Sequence, residues 1–177
     1  VYKNQNDTSY FVEGIQGSGK STLTRRLSEK YPDHKVLEEG DYSPVELAWC
    51  AYMSLEDYQA VLVRFPELKG EIIDKSHEED GRMVVCYTKI HTGDQSFYRH
   101  MEQYEIYNNR VPLERFKEII LKRYGNWDGE PVIAECSIFQ NIVEDMILFR
   151  DMTDEEILGF YRDIKKAIGG KKIHIAY

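Results

Sequence analysis

The sequence predicts an α/β fold: a mainly parallel, doubly wound sheet with helices on both faces and a largely helical insertion. Three observations carry this expectation. Short apolar or β-branched runs alternate with segments of helical period along the chain. A glycine-rich loop, Gly14 to Ser21, lies between one such run and one such segment. The run PVIAE (131–135) is almost wholly apolar, as a strand covered on both faces must be.

Taken in order, SYFVEG (9–14) reads as a first strand that feeds a tight loop at Gly14. From Lys20, KSTLTRRLSEKY sets Leu23, Leu27 and Tyr31 on one helical face until Pro32 stops it. HKVLEE (34–39) is the second strand, closed by Gly40. SPVE (43–46) places Ser43 at an N-cap, Pro44 at the first helical position and Glu46 at the capping-box position, so a helix through Trp49 and Tyr52 is expected. SLED at Ser54 caps another.

The span 66–128 mixes the apolar run MVVCY (83–87) with helical patterns at about 95–107 and 112–124, and reads as an insertion carrying substrate contacts. PVIAE is then the third core strand. Ser137 and Gln140 form a capping box for a helix that turns Ile138, Ile142 and Val143 through Phe149 inward. Thr153 and Glu156 repeat the device for a helix ending at Gly169-Gly170. KKIHIAY (171–177) is the fourth core strand, with no internal repeat or low-complexity segment along the way.

At 177 residues, 42% hydrophobic and 31% charged, the chain is the length of a single domain, 1–177, with an ordinary globular balance. A formal net charge of -8 argues against a nucleic-acid polymer as partner, since such binding draws its affinity from Lys and Arg. Cys50, Cys86 and Cys136 form no C-x-x-C pair, so reduced thiols and a cytoplasmic location are expected. No apolar run approaches the roughly 20 residues that span a bilayer, and VYKNQNDTSY lacks a signal-peptide core. Because the chain begins without Met and stops just after an apolar alternation, either end is expected to be cut back from a longer protein.

Ligands of an open parallel sheet sit beyond the carboxyl ends of its strands. That rule brings the glycine loop, the turn Glu38-Glu39-Gly40-Asp41 and Glu135 to one rim. The spacing Gly14-x-x-x-x-Gly19-Lys20-Ser21, between strand and helix, is that of a phosphate-binding loop. Backbone N–H groups of Gly14, Gln16, Gly17, Ser18, Gly19, Lys20, Ser21 and Thr22 are expected to surround the phosphates of ATP, with Lys20 reaching the β- and γ-phosphates. Ser21 and Glu135 are the expected ligands of Mg2+. A base for deprotonating a hydroxyl acceptor is sought among Glu38, Glu39 and Asp41; neighbouring strand residues face opposite ways, so Glu39 and Asp41 form the preferred pair. Arg99, Arg110, Arg115 and Arg123 are the cations available in the insertion, and its aromatic residues could stack a base or build core.

The motif FVEGIQGSGKSTL resembles the first motif of the thymidylate kinase and deoxynucleoside kinase group, in which a Glu-Gly pair enters a Gly-Ser-Gly-Lys-Ser-Thr loop. LEEGDYSPVELAW is similar in position to the group's Glu-Pro-Val segment, whose Glu is the base, but Ser43 precedes Pro44-Val45 here. AECSIFQN looks like the group's Glu-Arg-Ser triplet with Cys136 in place of the arginine; it also looks like the segment of bacterial thymidylate-kinase-like proteins with no established substrate. The resemblance implies a P-loop NTPase three-layer sandwich, a catalytic role for Lys20 with Glu39 or Asp41, and a lid and last strand beyond Tyr177.

An ATP- and Mg2+-dependent kinase acting on a small-molecule acceptor, a nucleoside or nucleotide being one class, is therefore the expected function. Neither nucleic acid nor membrane is an expected partner, and homodimerisation is left open. The alternatives are an NTP-hydrolysing ATPase or switch, for which the guanine-reading Asn-Lys-x-Asp motif is missing, and a nucleotide-binding regulator that does not catalyse.

Overall fold

The computed structural model describes residues 7–177; the reading of the extreme N-terminus as free of a signal core falls mainly outside them. Along the chain the elements are β1 (Ser9–Val12), α1 (Lys20–Lys30), β2 (Lys35–Leu37), β3 (Ala51–Ser54), α2 (Leu55–Arg64), α3 (Lys69–Asp74), β4 (Ser76–Glu79), β5 (Arg82–Val85), α4 (Gln95–Glu102), α5 (Leu113–Asn126), β6 (Val132–Glu135), α6 (Gln140–Glu144), α7 (Asp154–Ile168) and β7 (Ile173–Ala176). A π-helical turn, Asp145–Phe149, continues α6. The chain divides into two compact units, the first reaching to Glu39 and adding Ser43–Glu46 and Pro112–Tyr177, the second made of Gly40–Tyr42 and Leu47–Val111.

The first unit is an α/β layer structure around a four-stranded sheet of order β2-β6-β1-β7. Every neighbouring pair is parallel, with Tyr10 opposite Ile133 and Phe11 opposite both Ala134 and Ile175. From β1 the chain crosses by α1 to β2; from β6 it crosses in the other direction, by α6 and α7, to β7. Right-handed crossovers of opposite direction place their helices on opposite faces.

Side chains of β1 meet both layers. Tyr10 and Val12 cluster with Tyr31 and Ile133, and Leu23 and Leu27 of α1 pack against them. Phe11 turns the other way, its ring 5.9 Å from that of Trp127, while Phe116 of α5 meets Phe160 of α7. Full burial of a side chain such as Phe11 stabilises by about 1.5–3 kcal/mol relative to exposure.

The second unit is built on a three-stranded antiparallel sheet, β3-β5-β4. Its core joins Met53 and Val85 of the sheet to Tyr58 and Val61 of α2 and to Phe97 and Met101 of α4. Ser54 caps α2 as expected, accepting the Asp57 N–H at 3.0 Å.

Three local expectations change. The second strand ends at Leu37, because β6 offers partners only for Lys35 to Leu37, and the chain then turns at Gly40 with φ 81°. Glu39 therefore sits in a turn, and the shared strand orientation of Glu39 and Asp41 is lost. No helix runs through Trp49 and Tyr52. The Ser43 hydroxyl does accept the N–H groups of Val45 and Glu46, yet Ala51–Ser54 become β3, with Tyr52 opposite Val84. Buried Ala51 and Met53 alternate with half-exposed Tyr52 and Ser54, a period of two that only a sheet satisfies.

In the third change, the pattern at 95–107 yields a shorter α4, capped by Asp94, which accepts the Ser96 N–H at 2.8 Å. The pattern at 112–124 forms α5 and belongs to the first unit, so the span 66–128 and the second unit do not coincide. Among the described residues no helix is long and apolar enough to cross a membrane.

Candidate functional site

The loop between β1 and α1 is shaped by glycines where L side chains do not fit. Gly14, Gly17 and Gly19 have φ of 144°, 80° and 93°. A Cβ on Gly14 would lie 2.7 Å from the Ser18 hydroxyl oxygen, which would have to rotate away, while the φ of 144° is one that L side chains rarely adopt. Gly19 is the N-cap of α1 and brings no capping side chain, which leaves first-turn amides of the helix for an external anion.

Ile15 through Gly19 are exposed. The Lys20 ammonium curls back over the loop, donating to the carbonyls of Gly14 at 2.9 Å and Ile15 at 3.2 Å. These contacts hold the cation beside the amides that an anion would meet. Gln16, Ser18 and Thr22, with the glycines, Lys20 and Ser21, line the same loop and first helical turn.

Glu135 ends β6 directly opposite Val12, the last residue of β1. Parallel register thus carries the carboxylate to the mouth of the loop. The Ser21 hydroxyl donates to Glu135 Oε2 at 3.4 Å, joining residues 114 positions apart. A hydroxyl beside a carboxylate is oxygen chemistry suited to a hard cation such as Mg2+, which takes one or two carboxylates and completes its shell with phosphates and water. Among the described residues no group of three or more His, Cys, Asp or Glu side chains could hold a metal ion. The pair would need a nucleotide's oxygens to bind one.

Glu13 has a role that the sequence reading missed. The expected capping box of Ser137 and Gln140 does not form; the Ser137 hydroxyl donates to the Glu135 carbonyl instead. The Glu13 carboxylate caps the segment from the neighbouring strand, accepting the N–H groups of Ile138 at 2.9 Å, Phe139 at 3.1 Å and Gln140 at 3.2 Å. It is 2% exposed, and burial pushes its ionisation above the ordinary carboxylate range despite these bonds. Tyr161 and Tyr124 donate to the carbonyls of Ile138 and Ser137. The turn after Glu135 is thereby held on both its amide and carbonyl sides. An acid at the end of an otherwise apolar strand is the signal that could have found Glu13, since a buried carboxylate needs donors.

Cys136 is buried with φ 53°, and its N–H extends the β1–β6 ladder to the Val12 carbonyl at 3.0 Å. Its thiol has Gln140 Oε1 at 3.2 Å and a hydrogen bond to Glu39, and is pushed up chiefly by burial and then by Glu39. Glu39 is thus brought to the turn that carries Glu135. Asp41 belongs to the second unit, where it pairs with Lys89 at 3.1 Å.

Of the candidate cations, Arg99 is exposed on α4. Arg123 is buried and donates to the Ser43 carbonyl, while Arg110 pairs with Glu102 and Arg115 with Glu118. Tyr87, Tyr107, Tyr124 and Trp127 are buried, which makes them core residues of their units. No protein-family model, curated protein or solved structure matches this chain.

Proposed function

We propose that the chain is a P-loop kinase of the kind its motifs resemble, transferring the γ-phosphoryl group of ATP to a small hydroxyl or phosphate acceptor. The observation that carries the reading is the Ser21–Glu135 pair at 3.4 Å, set beside a glycine loop whose helix has no capping side chain. In this reading the loop amides hold the phosphates, and Lys20 exchanges its carbonyl partners for the β- and γ-phosphate oxygens. Ser21 and Glu135 would hold Mg2+, which would supply neutralisation of the charge that develops during transfer.

Glu39 is the candidate base in the first unit, its carboxylate hydrogen-bonded to the Cys136 thiol; Asp41, the other residue of the expected pair, belongs to the second unit. Glu13 positions the Glu135 turn without touching substrate. The reading includes a cytoplasmic location.

The test is acceptor-dependent ADP formation across a panel of nucleosides, nucleotides and sugars, with mass in solution measured with and without nucleotide. Turnover that is the same with or without every acceptor would overturn the kinase reading in favour of an ATPase. One observation favours a second reading, a regulator that binds nucleotide without transfer. A buried thiol stands where the resembled family has an arginine, and it cannot neutralise a phosphoryl group. Glu39→Gln and Asp41→Asn separate the two: a kinase loses transfer and keeps ATP, whereas a binder is unaffected.

A further inference from the structure

Cys50 and Cys86 belong to the second unit and lie one step beyond the Ala51–Val85 pair of the β3–β5 ladder, directly opposite one another in that register. Opposed residues of an antiparallel pair have Cα atoms about 4.5–5.5 Å apart, within the span a disulfide bridges. Both side chains are buried, and their sulfurs are 3.8 Å apart. Shortening this to the roughly 2 Å of an S–S bond asks for side-chain rotation and no separation of strands.

The two thiols differ in access. Cys86 lines a cavity of about 390 Å³ whose wall includes Asp41, Lys75, His77 and Lys89; Cys50 is not part of that wall. We propose that Cys50 and Cys86 are a peroxide-oxidisable dithiol, in which Cys86 is oxidised from the cavity and Cys50 resolves it to an intramolecular disulfide.

The Cys50 S–H is directed at the Cys86 sulfur, and this bond holds the Cys86 thiol below its ordinary value, against its burial; Lys89 and Lys75 act in the same direction and Asp41 opposes. The Cys86 sulfur attacks the terminal oxygen of the peroxide. The O–O bond breaks, the leaving oxygen takes the thiol proton, and Cys86 becomes a sulfenic acid. The Cys50 sulfur then attacks the Cys86 sulfur, the S–O bond breaks, and hydroxide leaves with the Cys50 proton as water. Two thiols lose two electrons and one hydroperoxide is reduced.

The Cys50 sulfur also lies 3.6 Å from the Gly40 carbonyl oxygen and 3.8 Å from that of Asp41, so these backbone groups flank the dithiol within the second unit. The dithiol chemistry needs nothing from the phosphate loop, so it stands or falls apart from the kinase reading.

The whole chain is treated with graded hydrogen peroxide, alkylated under denaturing conditions, digested without reductant and mapped by mass spectrometry. The expected product is a Cys50–Cys86 cross-linked peptide, lighter by two hydrogens than its parts and restored by a phosphine, while Cys136 reacts about tenfold more slowly. In Cys50→Ala, dimedone traps a sulfenic acid at Cys86; in Cys86→Ala, Cys50 stays unmodified. Oxidation of Cys136 first, a disulfide between chains, or two thiols that remain alkylatable while circular dichroism stays native would each overturn the proposal. Should an alanine variant fail to fold, the peptide map of the unsubstituted chain decides.

Discussion

At the end of β1 one carboxylate, Glu13, accepts three consecutive amides of the segment after β6. Glu13→Gln keeps the side-chain shape but turns an NH2 group toward part of that set. A buried donor left without an acceptor costs about 1–3 kcal/mol, and denaturant titration should show a loss of that size. If nucleotide binds at the proposed site, ATP binding should weaken with it, through displacement of the Glu135 turn. Glu135→Gln acts differently: fold stability should change little at this half-buried position, while Mg2+-dependent nucleotide affinity or turnover falls by tenfold or more, as isothermal titration and ADP assays can read. Lys20→Ala should lower ATP affinity or turnover under either functional reading, and so tests the loop alone.

At the scale of elements, the connections carry more of the constraint than the strands they join. Gly40 closes the turn after β2 at φ 81°, and a Cβ there would meet the Thr88 hydroxyl oxygen at 2.5 Å. Gly40→Ala is therefore expected to destabilise by more than about 1 kcal/mol, from left-handed backbone strain together with the clash. Ser54→Ala removes the cap of α2 and should cost about 1 kcal/mol with no effect on nucleotide binding. Thr153 and Glu156 form the capping box foreseen for α7, because every component of that device lies within four residues. The Ser137–Gln140 box has the same local form and fails because Glu13 competes for its amides.

For the whole molecule, pH couples to folding through its buried acids. Burial raises the ionisation of Glu13 in the first unit and of Glu105, which accepts the Tyr87 hydroxyl at 2.6 Å, in the second. An acid whose folded-state value is raised binds its proton more tightly when folded. The stability it contributes is fully present below its unfolded value and is lost as pH rises from the ordinary carboxylate range through the raised one. Asp74, Asp94 and Glu156 are shifted down and act in the opposite sense, but they are solvent-exposed and weigh little. Denaturation of Glu13→Gln and Glu105→Gln against pH should show flatter profiles above the ordinary glutamate value than the unsubstituted chain.

The sequence by itself determined β1, the glycine loop, α1, β6 and the capped α2 and α7, since each is written in a contiguous pattern of period, glycine or cap. It also determined that Ser21 and Glu135 would converge, because parallel strands deliver their carboxyl ends to one rim. Tertiary structure alone decided the rest. Leu37 ends β2 because β6 supplies no further partner, and Ala51–Ser54 leave the helix their cap suggests because β5 pairs with them. Glu13 caps amides 125 to 127 positions away, and Cys50 meets Cys86 across 36. Such contacts depend on which strands become neighbours, and that is settled by burial and pairing of the whole sheet, which no local window contains.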